Sequence, residues 1–543
     1  MRKSTIIFLL FSISLILTHS SARGWFLESD EPVLMCRIID STRCVYSTEN
    51  NFWAIDVRTG DIAWTLPDWN CNAPEQIGIV PGTSIILVYD IIRISERNSM
   101  TRERKIQRLN TIAAIDLKYG DMLWKSDTAD FASCAGYYLL PGGKSLLMCV
   151  RNMEDTYWMR AVDLTSGAVI WENREFFEGE KPETFSARGA DKNILGNQSP
   201  VFDSDSTMIT MYRADGLAKW NIKTGEQLWR SELNAGCIPF RSDGYLTPLL
   251  SEDGSELWVP CDKGLQAVAT IDGSLKWDTT KVFPGIVHRI VPEESGLYII
   301  GGPKSGGGGG DQFITLLNRA TGSREWEFDF LECKGGKTSP TIISDDSLYV
   351  WSNKKIYAVS KRDGSFTIID KEIKLENGET PNYFGLRGGN YLLISSQNMI
   401  MLDHSLRQVY SLYFKPPNPK KNFWQKLDNA LFYAGAIASI ASMDLDRFAT
   451  QYAYAFVPGV DYGLPKYGLS VVTKDYMFVV GESDKKTAHL DEGGWGLFKI
   501  NKSNGAIVSR VGLGELVPLF EVSPDGDGVL FIGAKNEIIY RKM

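Results

Sequence analysis

The chain is poor in the residues that metal binding and acid–base catalysis draw on. Histidine occurs four times in 543 residues, once within an N-terminal apolar leader. His288, His404 and His489 lie far apart in sequence, where a lone histidine is expected to be a structural residue. There is no CxxC pair among the eight cysteines, so the usual zinc spacings are missing. Lysine and arginine number 58 against 66 aspartates and glutamates, a net charge of −8. That argues against nonspecific nucleic-acid binding, which needs a basic field. The glycine run Gly306–Gly310 precedes Asp311 rather than a Lys-Ser pair, so it does not read as a phosphate loop and is expected to be a mobile connection. Helical 3.6-residue periodicity is missing over most of the chain. The uncharged run 430–443 has fourteen residues and is too short to cross a bilayer.

Some features are present in their place. Arg2 and Lys3 precede the apolar run Thr5–Thr18, and Ser20-Ser21-Ala22 offers small residues for cleavage. Residues 1–22 are therefore expected to be a signal peptide, and the mature chain to be exported, periplasmic or secreted. An oxidising compartment permits disulfides. Cys36 with Cys44 and Cys134 with Cys149 flank short hairpins, and Cys237 with Cys261 form a looser pair. Disulfides at these three pairs and buried free thiols are both open readings. Asn197-Gln198-Ser199 and Asn501-Lys502-Ser503 would be glycosylation sites only in a eukaryote.

The dominant pattern is a repeat. "AIDVRTGDIAW" at 54–64 returns as "AIDLKYGDMLW" at 114–124 and "AVDLTSGAVIW" at 161–171. Aligned on the turn glycine, the copies place Gly60, Gly120, Gly167, Gly225, Gly273 and Gly322 four residues before Trp64, Trp124, Trp171, Trp229, Trp277 and Trp326. Gly364 and Gly505 carry Ile368 and Ser509 instead of tryptophan, and "MLDHSLRQVYSL" reads as a further, eroded copy. The early spacing fits a four-stranded propeller blade. Within a period, short β-rich runs alternate with turn signals, as in "CIPF", "ELWVPC", "LQAVATI" and "SLKW" between 237 and 277. The glycine permits a positive φ in the hairpin. The Asp or Asn four residues earlier (Asp56, Asp116, Asp163, Asn221, Asn318, Asn501) can accept turn amides. Each tryptophan would bury roughly 150–250 Å² against the next blade. We therefore expect the motif to hold blades together rather than to perform chemistry.

The A-x-D-x-x-T-G-x-x-x-W pattern resembles the repeat of the quinoprotein-type, pyrroloquinoline quinone-like β-propeller family, over about 33–370 clearly and 468–511 weakly. The resemblance implies an all-β, single closed propeller of four-stranded blades, eight favoured. It occurs both in quinone alcohol dehydrogenases and in cofactor-free members such as the outer-membrane-barrel assembly lipoprotein. The dehydrogenases place adjacent cysteines over the quinone and hold calcium with carboxylate and amide groups. No two cysteines adjoin here, and no calcium set can be matched. No cofactor is expected, and a pyrroloquinoline quinone dehydrogenase with calcium is the alternative.

Departures from the repeat should carry function. Residues 93–110 hold six basic and two acidic residues, including Arg102, Arg104 and Lys105, within an acidic chain. They read as a hairpin tip or as a docking loop for an acidic partner or an anionic surface. The blades, at 23–414 and 461–543, are interrupted by 415–460. There "KPPNPKK" precedes an apparently helical stretch with Phe423, Leu427, Leu431, Ala434 and Ala438 on one face and Trp424 beside it. This insertion reads as a helix packed on the propeller itself, or as a surface for a partner, with peripheral membrane contact through 423–443 a further reading. The last three strands, after Gly505, are expected to form a blade completed by residues 24–29. The overall expectation is a non-enzymatic scaffold with a protein partner.

Overall fold

The computed structural model describes residues 24–543 apart from 70, 72–76, 81, 98–103, 127–132, 152–155, 178–199, 214–215, 235–247, 262–263, 303–312, 330–338, 340, 353, 370–371, 380, 416–469, 484–493, 515–519 and 533–536. The described residues form ten four-stranded antiparallel sheets. Nine are simple meanders, each strand pairing with the next. They span 35–67, 77–125, 133–173, 201–232, 249–282, 286–329, 342–369, 383–413 and 470–514, and are numbered here as blades 1 to 9. Blade 10 takes three strands from Phe520–Val522, Gly528–Ile532 and Glu537–Lys542, and its fourth from Gly24–Glu28. Trp25 stands opposite Tyr540, and Phe26 opposite Ile539, in that closing pair.

The count corrects the expected eight. The eroded copy builds a full blade, blade 8, and the two chain regions 24–28 and 520–542 add the tenth. In blade 8 the turn is one residue shorter and has no glycine. Leu406 takes its place with a φ of 59°, so strand pairing survives the loss of the signal residue.

Ten hydrophobic clusters fill the molecule, each shared by two neighbouring blades. Blade 1 meets blade 2 through Phe52, Ala54 and Trp64 against Ile86, Val88 and Ala113. The ring closes where Trp25, Leu530, Ile538 and Tyr540 of blade 10 pack on Cys36, Cys44, Tyr46 and Ile55 of blade 1. A sheet of this kind buries both faces, so second and third strands read as almost continuous apolar runs, such as GLYIIGG and FITLL in blade 6. The fourth strands are half open and alternate, as in IAWTLP.

The cysteine pairing at blade 1 is not made. Cys36 lies opposite Tyr46 and Cys44 opposite Ile38, so the two are diagonal neighbours, and both are free, buried thiols. Burial pushes both thiols well above their ordinary range. Cys149 is likewise a buried thiol; it lies opposite Gly136, with Cys134 opposite Val150 across a bulge. Cys261 is buried at the end of its strand, and Cys237 lies outside the described residues. The helical insertion is not seen. Of 415–460 only Lys415 is described, and the sole helical element among the described residues is the 3₁₀ turn Glu376–Gly378.

Candidate interaction face

The repeated motif is built as a joint between blades. A β-bulge in the outer hairpin of blades 1, 2, 3, 4 and 6 shifts the register so that the tryptophan stands opposite the residue six before the turn glycine: Ala54 opposite Trp64, Ala114 opposite Trp124, Ala161 opposite Trp171. The indole then lies over the turn of the next blade. An added Cβ on Gly120 would fall 2.7 Å from Trp64, and the same holds for Gly167 and Trp124, Gly225 and Trp171, Gly273 and Trp229, Gly322 and Trp277, and Gly364 and Trp326, at 2.5–2.7 Å. Each indole N–H donates to the carbonyl three residues before that glycine. Trp64 bonds Leu117 O at 2.8 Å, Trp124 Leu164 O at 2.6 Å, Trp171 Ile222 O at 2.8 Å, Trp229 Thr270 O at 3.0 Å, Trp277 Arg319 O at 3.1 Å and Trp326 Lys361 O at 3.1 Å. All eight glycines aligned from the sequence have positive φ, between 65° and 80°. The turn carboxylates and amides accept two amides each in most blades, as Asp163 does from Thr165 and Ser166.

Two members of this system were not legible in the repeat. Trp25 on the closing strand docks over Gly60 and donates to Val57 O at 2.7 Å. Tyr410 of blade 8 docks over Gly505 and donates to Lys502 O at 2.6 Å. The signal for Tyr410 was an aromatic four residues after Leu406, hidden by the shortened turn. The two missing tryptophans have structural reasons. Blade 7 lacks the bulge, so Thr367 rather than Ile368 faces Ala358, and Ile368 packs back toward blade 6. Ser509 faces blade 10, where the third and fourth strands come from distant parts of the chain and no turn exists to receive an indole.

Several charged side chains among the described residues are engaged at the joints. On the inner strands, Arg37 donates to Ile77 O of blade 2, Arg289 to Thr341 O of blade 7 at 2.9 Å, and Glu521 accepts the Ile38 amide of blade 1 at 2.5 Å. Nearer the turns, Glu256 accepts from Lys276 at 2.6 Å and from Arg319 of blade 6 at 2.8 Å, while Lys361 of blade 7 meets Glu293 at 2.6 Å. His404 sits in the blade 8 turn, and no group of three His, Cys, Asp or Glu gathers among the described residues.

Strand direction sorts the connections onto two rims. In an antiparallel meander, the links from first to second and third to fourth strands share one rim; the links from second to third, and from blade to blade, share the other. The first rim holds the compact docking turns. The second receives every long departure from the repeat. The strands Ile85–Arg97 and Arg104–Asp116 of blade 2 run thirteen residues each and lead to it. The glycine run departs there from Gly302 and returns at Phe313. The insertion departs after Lys415 and returns at Ser470. Lys415 is fastened to Glu482 of blade 9 at 2.6 Å. Arg104 and Lys105 begin the third strand of blade 2; Arg102, Phe423, Trp424, Leu427 and Leu431 lie outside the described residues. Around the circumference the fourth strands expose Ile62, Met122, Leu123, Val169, Ile170, Leu228, Phe366, Val409, Ile507 and Val508.

A closed ring of four-stranded sheets, with seven indoles and one phenol docked between neighbouring blades, is a tryptophan-docked β-propeller. Residues 155–327 match the family model described as outer membrane protein assembly factor BamB, which supports the resemblance to the pyrroloquinoline quinone-like repeat. The chain is similar to the crystal structure of BamB from Moraxella catarrhalis, at 14% identity and a TM-score of 0.34, covering 71% of this chain and 97% of that one. The computationally designed Ika8 protein is matched at 10% identity and a TM-score of 0.31, over 71% and 97% of the two chains. The dihydro-heme d1 dehydrogenase NirN is matched at 10% identity and a TM-score of 0.35, over 72% and 75%. Among curated proteins none matches the chain.

Proposed function

We propose that the protein is an exported, non-enzymatic scaffold that holds a protein partner on the elaborated rim of its propeller. The carrying observation is that the blade 2 ribbon and the described residues flanking 303–312 and 416–469 all lie at one rim, while the described connections of the other are tight turns. Propellers present additions on a rigid ring, and binding residues concentrate on such loops. The matched family model is described as an assembly factor, which favours a partner-holding role over catalysis. Glu256, Arg319, Glu293 and Lys361 are engaged by one another within and between blades, which also favours a scaffold. Export rests on the leader and on that same family description.

The test is affinity capture with the full chain against a variant in which 416–469 is replaced by a short glycine–serine linker and a second with the blade 2 ribbon trimmed to a tight turn. Loss of the same partner from both supports the elaborated rim. An unchanged partner list with either one refutes it. Adding pyrroloquinoline quinone and calcium, followed by an absorbance scan and dye reduction with alcohols, addresses the dehydrogenase alternative; reduction would replace the scaffold reading.

A further inference from the structure

We propose that Cys36 and Cys44 are a covered modification site for a small-molecule disulfide, opened when blade 10 parts from blade 1 and holding the ring open once modified. This goes beyond the scaffold reading, and its test needs no partner. Cys36 lies in the first strand of blade 1, Met35–Ile38, and Cys44 in the second, Arg43–Ser47. Cys36 stands opposite Tyr46 and Cys44 opposite Ile38, so all four share one face of the sheet. That face is the one that meets blade 10, through Trp25, Leu530, Ile538 and Tyr540. Both thiols are buried at this joint, Cys36 at 8% and Cys44 at 1% exposure. The register keeps them diagonal, about 7–8 Å apart from backbone to backbone, beyond the ordinary reach of a disulfide. Each is left to react with a disulfide from outside.

Blade 10 controls both the access and the reactivity of the pair. Its apolar side chains pack on the face that carries the sulfurs. Its inner strand also brings Glu521 to the seam, where the carboxylate accepts the Ile38 amide at 2.5 Å. Burial first, and the Glu521 charge second, hold both sulfurs as thiols. The thiolate is the nucleophile in disulfide exchange. When blade 10 moves away, water reaches the sulfurs and the carboxylate departs, so one motion both uncovers and activates the pair. Chain connectivity also does little to hold this joint. The three strands between Phe520 and Lys542 meet blade 1 through strand pairing and packing, with no short stretch of chain between them. The pairing is that of Gly24–Glu28 with Glu537–Lys542.

The step is a thiol–disulfide exchange. The cysteine thiolate attacks one sulfur of a compound such as oxidised glutathione. A protein–glutathione disulfide forms and the glutathione disulfide breaks. The other half leaves as a thiolate and takes up the proton that the cysteine gave up. The cysteine sulfur is oxidised and the departing sulfur reduced. Such disulfides belong to the oxidising compartments that an exported chain enters. A close-packed joint has no room for an adduct of that size. A modified blade 1 therefore cannot reseat blade 10 until a thiol reductant removes the group.

The test incubates the full chain with oxidised glutathione, in urea below the unfolding transition, and follows each cysteine by peptide mass. Cys71 and Cys149 are internal controls. Both are fully buried, at the joint of blades 1 and 2 and at that of blades 3 and 4. We expect Cys36 and Cys44 to be modified roughly tenfold faster than either control, because the seam opens before the other joints. Trp25→Ala should speed them by roughly tenfold again. Trp229→Ala removes the indole docked on Gly273 of blade 5, and should change them by less than about twofold. In the modified chain, amide exchange across Glu537–Lys542 should rise and return to the parent rate after dithiothreitol. The comparison of cysteines within the parent chain needs no variant to fold. Modification of all four cysteines at one rate, equal effects of the two tryptophan variants, or unchanged seam exchange in the modified chain overturns the proposal. A Cys36–Cys44 disulfide in place of glutathione adducts overturns it as well.

Discussion

The side chain of Lys502 is a charge held at a cost. It is buried beneath the docked Tyr410, donates to Thr473 O at 2.7 Å and lies 5.3 Å over the Tyr383 ring. Its equivalent three residues before the glycine in blade 7, Lys361, has Glu293; Lys502 has burial and the nearby Arg387, which bring its amine down to about 8. A folded pKa below the unfolded value of about 10.4 means that the unfolded chain binds more protons between those values. The destabilisation is fully present below about pH 8 and relieved as pH rises toward 10. Lys502→Met should accordingly raise the denaturant midpoint at pH 7, with the gain shrinking when the melts are repeated near pH 10. Asp163 behaves oppositely. The Thr165 hydroxyl and the Ser166 amide and hydroxyl hold its carboxyl down at about 2. Its stabilisation is present above about pH 4 and disappears as pH falls through 2. Asp163→Ala should cost stability at pH 7, and the difference from the parent should vanish in melts near pH 2.

At the scale of the element, the docking hairpin depends on a glycine for two separable reasons. Gly82 and Gly120 both have positive φ, 73° and 79°. A Cβ on Gly82 meets nothing within 4 Å, whereas one on Gly120 strikes the Trp64 ring at 2.7 Å. Gly82→Ala should cost only the backbone penalty, about 1–2 kcal/mol. Gly120→Ala should cost that and also dislodge Trp64, whose loss by Trp64→Ala is expected at about 3–5 kcal/mol. Chemical denaturation of the three variants separates the contributions; equal losses for Gly82→Ala and Gly120→Ala would remove the docking account. Much of this element was legible in sequence because glycine, aspartate and tryptophan fall at fixed offsets. Tyr410 and Leu406 were not, because one deleted turn residue breaks the offset while leaving the pairing intact. The fate of Ile368 was also hidden, since a bulge is a matter of register that no spacing between Gly364 and Ile368 records.

For the molecule as a whole, ring closure rests on five residues near the start of the described chain. Gly24–Glu28 supply the fourth strand of blade 10, and Trp25 both stacks on Tyr540 at 5.7 Å and docks on blade 1. Closure joins chain regions more than 500 positions apart, so loosening it should be felt at the seam first. Trp25→Ala is expected to accelerate amide exchange in Glu537–Lys542 and at Val57–Gly60 while blades 4 to 6 stay protected. Uniform acceleration around the ring would show that closure is not a local latch.

Sequence alone determined that this chain folds as wedges of sheet, because a hairpin turn, its polar brace and its indole are contiguous and their offsets survive in eleven residues. It also marked 93–110 and the insertion as foreign to the repeat. How many wedges close the ring, that blade 8 stands without its glycine, and that Cys36 and Cys44 pass each other unpaired were decided only by tertiary structure. Each depends on which strand lies beside which, and in what register, across long separations.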